Sequence, residues 1–311
     1  MQICDSSVLP TPQSLFQRTD DAAGGSLQTF KRWLKFRLRF FWHRRHIFAV
    51  HDHLRQLGLA SVLESDLLLV VRCTRAYLWS GLTAQGRAAA QMAHFDWLVQ
   101  TFSSTQASAL YALHSWLLCE WTLKDRQVRI VLRPGRALAR EGELELHLEL
   151  DGSPVMRAAF SVLPAHMVGG TSSGAVLVVG NVQGSQEGKD LVKDFTQLME
   201  RTRPSGILLN ALQGLAQGWG LEGLLGVSDV GHAYADYRSL SQRVGMSYDT
   251  LWQELGAEQR LSDMHWSLPL VWLPRPESEV ASSKRSQLRR RNDMRQQVLG
   301  ACLAAAQTRR P

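Results

Sequence analysis

The fold is decided by the stretch Ala175-Val-Leu-Val-Val-Gly180, which leads through Asn181-Val-Gln-Gly-Ser-Gln-Glu-Gly-Lys189 into a helical pattern. A second apolar run, Leu224-Leu-Gly-Val-Ser-Asp229, continues into Gly231-His-Ala-Tyr-Ala-Asp-Tyr237. The first run predicts a central strand, and the glycines after it predict a turn into a helix over Lys189–Arg201. A strand, a glycine-containing turn and a helix can present backbone amides to a phosphate group, so we look for a site here first.

The turn supplies the candidate cofactor-binding residues. If the amides between Gln183 and Gly188 are exposed at the start of the helix, a pyrophosphate could bind there, helped by the helix dipole and Lys189. The turn matches neither a Walker loop nor a Rossmann fingerprint. The residues predicted to hold a cofactor are Asn181, Gln183, Gly184, Ser185, Gly188 and Lys189.

Alternating patterns before this stretch predict an antiparallel sheet. Strands are expected over residues 127–132, 142–150 and 155–162, with Asp151-Gly-Ser-Pro154 as a hairpin turn. In the second strand the leucines share one face, which we expect to be buried, while Glu143, Glu145, His147 and Glu149 share the other. That other face is expected either to be solvated or to line a cleft, where Glu145 and His147 would place an acid beside a base.

The N-terminal half has a different pattern. Residues 1–28 show no periodicity and predict a mostly disordered leader. Residues 29–124 predict a helical region, those at 125–298 an α+β domain, and those at 299–311 a basic tail. The helices are expected over His51–Leu57, Leu59–Trp79, Gln85–Phe102 and Ser108–Trp121. The predicted fold class is therefore α+β, with a helical N-terminal region followed by a mixed, largely antiparallel sheet flanked by helices.

Composition narrows the class of protein. Of the 311 residues, 45% are hydrophobic and 20% charged, which is typical of a globular chain. The four cysteines are widely separated and lack the spacing of a zinc site or a redox dithiol, so we expect no metal and a reducing compartment. No signal peptide and no apolar window long enough to span a bilayer is found. We expect a cytoplasmic protein, with or without peripheral contact to the inner membrane.

The net charge of +7 is concentrated in two segments, Lys31–Arg45 and Lys284–Arg291. In the first, Trp33, Phe36 and Phe40 recur at helical spacing among basic residues, which is typical of an amphipathic basic helix. Such a helix could bind an anionic membrane or, as a less favoured alternative, nucleic acid. It could equally pack its aromatic side chains inside the domain and leave its charges in water.

The order of strands, turn and helix resembles the core of GNAT-type acyltransferases. The resemblance implies that the turn holds the pyrophosphate of an acyl-CoA and that a later tyrosine, Tyr234 or Tyr237, protonates the leaving thiolate. The sequence departs from the GNAT pattern at the turn, which lacks the form Gln/Arg-x-x-Gly-x-Gly/Ala, and in an extra helix expected over Ser205–Trp219.

Five short motifs resemble the VirK/YbjX family, also catalogued as a DUF535 domain. They are Val178-Val-Gly-Asn-Val-Gln-Gly184, Arg203-Pro-Ser-Gly-Ile-Leu-Leu209, Gly226-Val-Ser-Asp229 with His232, Tyr248-Asp-Thr-Leu-Trp-Gln-Glu-Leu-Gly256, and the basic run over residues 282–291. The resemblance covers residues 31–298, with Asp229 where asparagine is expected. It implies a bacterial cytoplasmic protein from a family linked to virulence and to resistance against cationic antimicrobial peptides, with no established reaction.

Two functional hypotheses follow. In the first, an acyltransferase-like enzyme acts on an envelope component, with His232, Tyr234 or Tyr237 as acid or base near Ser228 and Asp229. The alternative for these residues is structural, with Ser228 and Asp229 capping a helix that begins near Gly231. In the second hypothesis, a non-enzymatic protein uses the two basic segments to bind anionic lipid, RNA or DNA. A deep cleft beside Gly184 favours the enzyme, and a filled one favours the binding protein.

Overall fold

The computed structural model describes residues 10–19, 26–185, 189–235 and 246–308. The described helices are α1 (Pro12–Phe16), α2 (Ser26–Gln56), α3 (Ala60–Ser65), α4 (Ala84–Leu113), α5 (Lys189–Leu198), α6 (Pro204–Gly218), α7 (Tyr248–Glu254) and α8 (Ser282–Thr308). The described strands are β1 (Trp116–Leu123), β2 (Arg126–Pro134), β3 (Leu144–Leu150), β4 (Ser153–Pro164), β5 (Ala175–Gly184), β6 (Gly223–Val227), β7 (Gln259–Ser262) and β8 (His265–Leu268).

All eight strands form one sheet in the order β1-β2-β3-β4-β5-β6-β8-β7. Every neighbouring pair is antiparallel except β5 and β6, which run parallel. A parallel pair needs a crossover connection, and α5 and α6 supply it. The predicted fold class is confirmed: a helical N-terminal region precedes a mostly antiparallel sheet with flanking helices.

The predicted hairpin between β3 and β4 is present. Its turn places Asp151 at φ 49° and Gly152 at φ 78°. Two successive residues with positive φ form the kind of tight turn that matches the twist of antiparallel strands. Strands β2, β3 and β4 coincide closely with the three that alternation predicts.

Two of the predicted helices are wrong. The helix expected over Ser108–Trp121 ends with α4 at Leu113, because His114 adopts the left-handed conformation that stops a helix. Strand β1 then begins at Trp116 and pairs with β2, so tertiary pairing overrides local helical spacing. The helix expected over Leu59–Trp79 is instead α3 followed by a 3-10 helix over Leu67–Thr74, since Asp66 is extended at φ −146°.

The leucine face of β3 packs into the main core. Trp219, just after α6, lies at its centre, with ring centroids 5.0 Å from Trp97 and 5.8 Å from Phe102. Helix α8 packs against α6 so closely that a Cβ at Gly214 would lie 2.3 Å from the Leu299 carbonyl oxygen. Residues 299–308, set apart in the sequence as a tail, continue helix α8 in this contact.

Two further features concern the N-terminal half. Within the expected leader, α1 buries Leu15 and Phe16, and the Phe16 ring lies 5.6 Å from that of Phe36 in α2. A smaller core on the opposite face of the sheet joins Tyr77 and Leu78 to strand residues such as Val178 and Leu225. The segment after the 3-10 helix therefore covers the face of the sheet on which the polar residues of β3 lie.

Candidate active site

The site is built around an irregularity in β5. Ala159 of β4 pairs with Asn181 and Phe160 pairs with Val179, so Gly180 is an extra, bulged residue. A bulge shifts the residues after it to the other face of the sheet. Asn181 consequently shares a face with Val178, and Val182 remains in the main core with Val179.

The bulge coincides with the point at which the parallel pair separates. Strands β5 and β6 pair only from Val176 with Gly223 to Val179 with Gly226. Strand β5 continues to Gly184 without a β6 partner. Glu141 fills the space beside the bulge, since a Cβ at Gly180 would lie 2.0 Å from the Glu141 carbonyl oxygen. Only glycine allows this contact, which fixes Glu141 at the opening between the strands.

The polar face of β3 is not in solvent, contrary to one of the two expectations for it. Glu143, Glu145, His147 and Glu149 are all buried, so the solvated outer face is wrong. Buried polar groups must find partners, and they do. His147 Nε2 lies 2.8 Å from Glu145 Oε2, and the backbone N–H of Leu138 donates to Glu145 Oε1 at 2.7 Å. The expected acid and base do lie side by side.

Hydrogen bonding outweighs burial at Glu145. Burial disfavours its charged form, but the hydrogen bonds from His147 and Leu138 favour that form, and the net effect lowers the pKa of Glu145. The side chain is therefore a carboxylate held by two donors. Such a group is suited to fixing His147 and the segment around Leu138, and is a weak base.

Glu143 is the centre of a structural ion pair. Its side chain is fully buried, with Oε2 at 2.5 Å from Arg72 Nη1 and Oε1 accepting from the Tyr77 hydroxyl. Arg72 Nη2 also donates to Asp66 at 3.0 Å and to the Gly135 carbonyl at 2.7 Å. Burial raises the pKa of Glu143 and Arg72 opposes that shift. The pair joins the 3-10 helix to the sheet.

Glu141 differs from both Glu143 and Glu145. It is buried, and burial raises its pKa to about 7, although Arg140 and a hydrogen bond with Tyr234 oppose the shift. The pKa of Tyr234 is raised to about 12, by burial first and then by Glu141. The Arg140 guanidinium lies 5.7 Å from the centroid of the Tyr234 ring. A carboxyl with a pKa near 7 can both accept and release a proton at neutral pH.

A histidine and a second tyrosine complete this cluster. The His232 ring stacks on Tyr248 with centroids 5.0 Å apart and lies 5.4 Å from Tyr234. His232 Nδ1 accepts from the Tyr234 backbone N–H at 3.3 Å, while Nε2 is buried without a partner among the described residues. Burial lowers the pKa of His232 to about 4, so the ring is neutral with its proton on Nε2. That proton is free for a ligand.

Ser228 and Asp229 form hydrogen bonds that hold the loop after β6. Ser228 Oγ donates to the Asp263 carbonyl at 2.5 Å and accepts from the Gly231 N–H at 3.0 Å. Asp229 accepts from the Tyr248 N–H at 2.6 Å and from the Ser247 hydroxyl at 2.7 Å. Among the described residues, 231–235 form a turn rather than the first turn of the expected helix. Asp229 instead holds the start of α7.

The remaining residues predicted from the sequence do not all lie in the same part of the structure. Gly184 and Ser185 end β5, the Ser185 N–H donates to the Val155 carbonyl at 3.3 Å, and Lys189 begins α5 with its side chain in solvent. Asn181 and Gln183 lie one residue apart after the bulge, and Asn181 Oδ1 is buried without a described partner. Gly188 and Tyr237 lie outside the described residues.

A cleft lies beside the end of β5. A cavity of about 550 Å³ is lined by Val182 of β5, Val192 of α5, Ser205 of α6 and Leu251 after the start of α7. A Cβ at Gly184 would approach only Val155 O and Val192 Cγ2, each at 3.9 Å. The space beside Gly184 is therefore open. Tyr248 links this cleft to the Glu141 cluster, since its hydroxyl is hydrogen-bonded by the backbone of Val182, which lines the cleft, and its ring stacks on His232.

A second cavity, of about 650 Å³, meets the first at the N-terminus of α6. Both are lined by Arg203, Ser205 and Glu254. The second adds three further arginines, Arg201, Arg291 and Arg295. Arg295 donates to Asn210 Oδ1 at 2.7 Å and lies 4.8 Å from the Trp272 ring, and burial lowers its pKa to about 10. One arm of the combined cleft is apolar and the other is cationic.

Comparison with known proteins identifies the family. The family model described as Protein of unknown function (DUF535) matches residues 25–302. The chain belongs to this family. It is 23% identical to the uncharacterized protein YbjX of Escherichia coli over 277 residues, 82% of each chain. It is 34% identical to an uncharacterized protein of Haemophilus influenzae over 125 residues, which are 39% of this chain and 41% of that protein.

The resemblance to the VirK/YbjX family is thereby confirmed, and the activity of the family is unknown. No solved structure matches the chain. Of the helices described, none is both long and apolar enough to cross a membrane. Within the described ranges no three His, Cys, Asp or Glu side chains come together as metal ligands.

Sequence reasoning missed three members of the site. Glu141, Arg140 and Tyr248 come from a loop and a helix start that carry no periodic signal. For Glu141 alone the sequence does hold one signal, because it precedes Glu143 and Glu145 at the same two-residue spacing. Its contact with Tyr234 depends on the bulge at Gly180, which the sequence does not reveal.

Proposed function

We propose that this family member is an acyl-CoA-dependent acyltransferase. The observation that carries the proposal is the Glu141–Tyr234 pair at the opening between β5 and β6, adjoining an apolar cleft through Tyr248. A buried carboxyl with a pKa near 7 and a half-buried tyrosine provide a base and an acid in contact. The strand order, with one parallel pair that ends where β5 bulges against β4, also supports the resemblance to GNAT-type enzymes.

The cleft fits the chemistry of an acyl-CoA. The apolar cavity suits the acyl and pantetheine chain, and the cationic cavity suits the phosphates. Between them the N-terminus of α6 has no side-chain cap. Pro204 has no N–H and the Gly206 N–H donates to the Arg203 carbonyl at 3.0 Å, which leaves the Ser205 N–H for an anion. In this proposal the phosphates lie beside Ser205, Arg291 and Arg295. The turn residues Gln183, Gly184 and Ser185 would border the pantetheine arm, with Lys189 at the start of α5.

The residues supply a balanced proton path. The Glu141 carboxylate takes the proton of an acceptor hydroxyl or amine as that atom attacks the thioester carbonyl. The carbon–sulfur bond then breaks, and Tyr234 gives its proton to the departing thiolate. Tyr234 recovers a proton from Glu141 through the hydrogen bond that joins them. The free Nε2 proton of His232 can stabilise the oxyanion that forms between these steps.

Isothermal titration with acetyl-CoA and palmitoyl-CoA tests the binding step. We expect saturable heat with at least one of them, and weaker binding of dephospho-CoA, because Arg291 and Arg295 lose a phosphate. Arg295→Met should weaken acyl-CoA binding, whereas Lys193→Met, which changes an exposed cation on α5, should not. If neither thioester gives heat with the wild-type protein, the proposal is wrong.

Release of free thiol from the acyl-CoA, with water as acceptor, tests the chemical step. Glu141→Gln should lower this rate by at least about 100-fold while acyl-CoA binding is retained. The wild-type rate should rise as the pH increases through about 7, where Glu141 ionises. Glu120→Gln, an exposed carboxylate on β1, is the matched control. A Glu141→Gln rate and pH profile equal to wild type would remove Glu141 from the mechanism.

A non-enzymatic binding protein is the second candidate, and one observation favours part of it. In the segment Lys284–Arg291, Arg289 is paired with Glu277 at 2.7 Å and Arg290 with Glu200 at 3.2 Å. Those two charges are already used within the chain. The segment Lys31–Arg45 carries seven cations on α2, most of them exposed, and no Asp or Glu occurs between positions 26 and 51. Binding to a polyanion through α2 is therefore the favoured form of this candidate.

A further inference from the structure

Helix α2 carries apolar side chains on two opposite faces. One face is buried and includes Phe36, Phe40, Ile47, Val50 and Leu54. The other, which we name the docking face, consists of Leu27, Phe30, Leu34, Leu38, Phe41 and Trp42, all exposed. At about 100° per residue the docking face occupies a sector of about 120° centred opposite the buried face. The aromatic side chains of α2 are thus divided between the core and solvent, since Phe40 is buried while Trp42 is 84% exposed.

Single exposed apolar residues need no explanation, but six on one sector of a helix do. They follow the spacing of a helix face, and Leu38 at its middle is 61% exposed. The helix is already anchored by its other face, so the docking face is not required for folding α2 onto the domain. Its composition is typical of a surface that is covered by another apolar environment.

The charges around the docking face indicate what that apolar environment is. Seven Lys and Arg residues lie between positions 31 and 45, and no Asp or Glu occurs between positions 26 and 51. Lys31, Lys35 and Arg45 lie on or beside the docking face, while Arg37 and Arg44 border its other edge. The Arg37 guanidinium lies over the rings of Trp33 and Phe41, at 5.1 and 5.6 Å, so aromatic contacts hold a positive charge at the edge of the docking face.

We propose that α2 docks this protein on the surface of an anionic lipid bilayer, with the docking face inserted among the acyl chains and the flanking cations against the headgroups. An exposed tryptophan next to basic residues is suited to the membrane–water interface. A nucleic acid would engage the cations but would leave Leu34 and Leu38 in water. The inference does not rest on the proposed acyl transfer, because it uses only the surface of α2.

A cavity links the basic side of α2 to the edge of the candidate site. It has a volume of about 290 Å³, is lined by Arg32, Lys35 and Arg39 of α2 and extends to Arg140. Arg140 adjoins Glu141 and lies over Tyr234. The cations beside the docking face are therefore continuous with the arginine at the edge of the site.

Co-sedimentation with vesicles tests the proposal, using equimolar phosphatidylglycerol and phosphatidylcholine against phosphatidylcholine alone. The intact protein should bind the mixed vesicles, weakly bind the neutral ones, and dissociate as salt is raised. Arg37→Gln/Arg44→Gln/Arg45→Gln should weaken binding by about 100-fold. The matched triple change Lys193→Gln/Lys284→Gln/Arg285→Gln removes three exposed cations elsewhere and should have little effect.

The apolar component needs its own variants. Leu38→Gln/Trp42→Gln should weaken binding by at least about tenfold without changing the circular dichroism spectrum. Val271→Gln/Leu273→Gln, which replaces exposed apolar residues elsewhere, is the control. Brominated acyl chains should quench part of the tryptophan fluorescence, and Trp42→Phe should remove that part. No binding to anionic vesicles would overturn the proposal. So would binding unaffected by Leu38→Gln/Trp42→Gln, or tighter binding to RNA or DNA in the same salt.

Discussion

Glu141 and Glu143 lie two positions apart and are both buried, yet one is paired with a cation and the other is not. Glu143 contacts Arg72 at 2.5 Å and accepts from Tyr77, so its charge is matched by a buried cation. Glu141 has no ion pair among the described residues and shares a hydrogen bond with Tyr234. The difference distinguishes a carboxylate that holds the fold together from a carboxyl whose proton is exchangeable near neutral pH. Three changes test this comparison.

Removing the cation from the Glu143 cluster should have the largest effect. Arg72→Met leaves a buried carboxylate without its partner, and we expect the free energy of unfolding to fall by about 3–5 kcal/mol. Denaturant titration at pH 7 measures this. The double variant Arg72→Met/Glu143→Gln removes the unpaired charge and should recover part of the loss. If Arg72→Met costs less than about 1 kcal/mol, Glu143 is not held by this ion pair.

The second change uses the sign of the pH dependence at Glu141. Its pKa is about 7 in the folded protein against 4.5 for an unperturbed side chain. Its contribution to stability is therefore present in full below pH 4.5 and is lost as the pH rises through about 7. The wild-type protein should lose about 3 kcal/mol more than Glu141→Gln between these pH values. Parallel stability profiles for the two proteins would show that Glu141 has an ordinary pKa.

Strand β3, which begins directly after Glu143, was predictable, but the burial of both its faces was not. Alternating leucines define β3 from the sequence because one core face needs a period of two. The opposite face is covered by residues 66–77 and by the loop around Leu138, which are irregular and distant in sequence. Local pattern therefore favours a solvated face, and only tertiary packing replaces water there.

The site was predictable to a similar degree. Residue type and order pointed to His232 and Tyr234, whose rings lie 5.4 Å apart. Ser228 and Asp229 form hydrogen bonds that hold the loop after β6 and the start of α7. The outcome depended on where α7 begins, since Asp229 accepts from Tyr248 at that helix start. Capping residues and catalytic residues have the same composition, so only geometry distinguishes them.

The third and smallest change concerns Glu145, whose pKa is lowered. Its contribution to stability is present above about pH 4.5 and is lost as the pH falls below that value, which is the opposite sign to Glu141. Glu145→Gln keeps an acceptor for the Leu138 N–H but removes the charge beside His147, so we expect a loss of about 1–2 kcal/mol at pH 7 that shrinks in acid. Denaturation at pH 7 and pH 3.5 measures both values. A loss that grows in acid would mean that burial raises the pKa of Glu145 as it raises the pKa of Glu141. The two buried glutamates would then not differ in their ionisation.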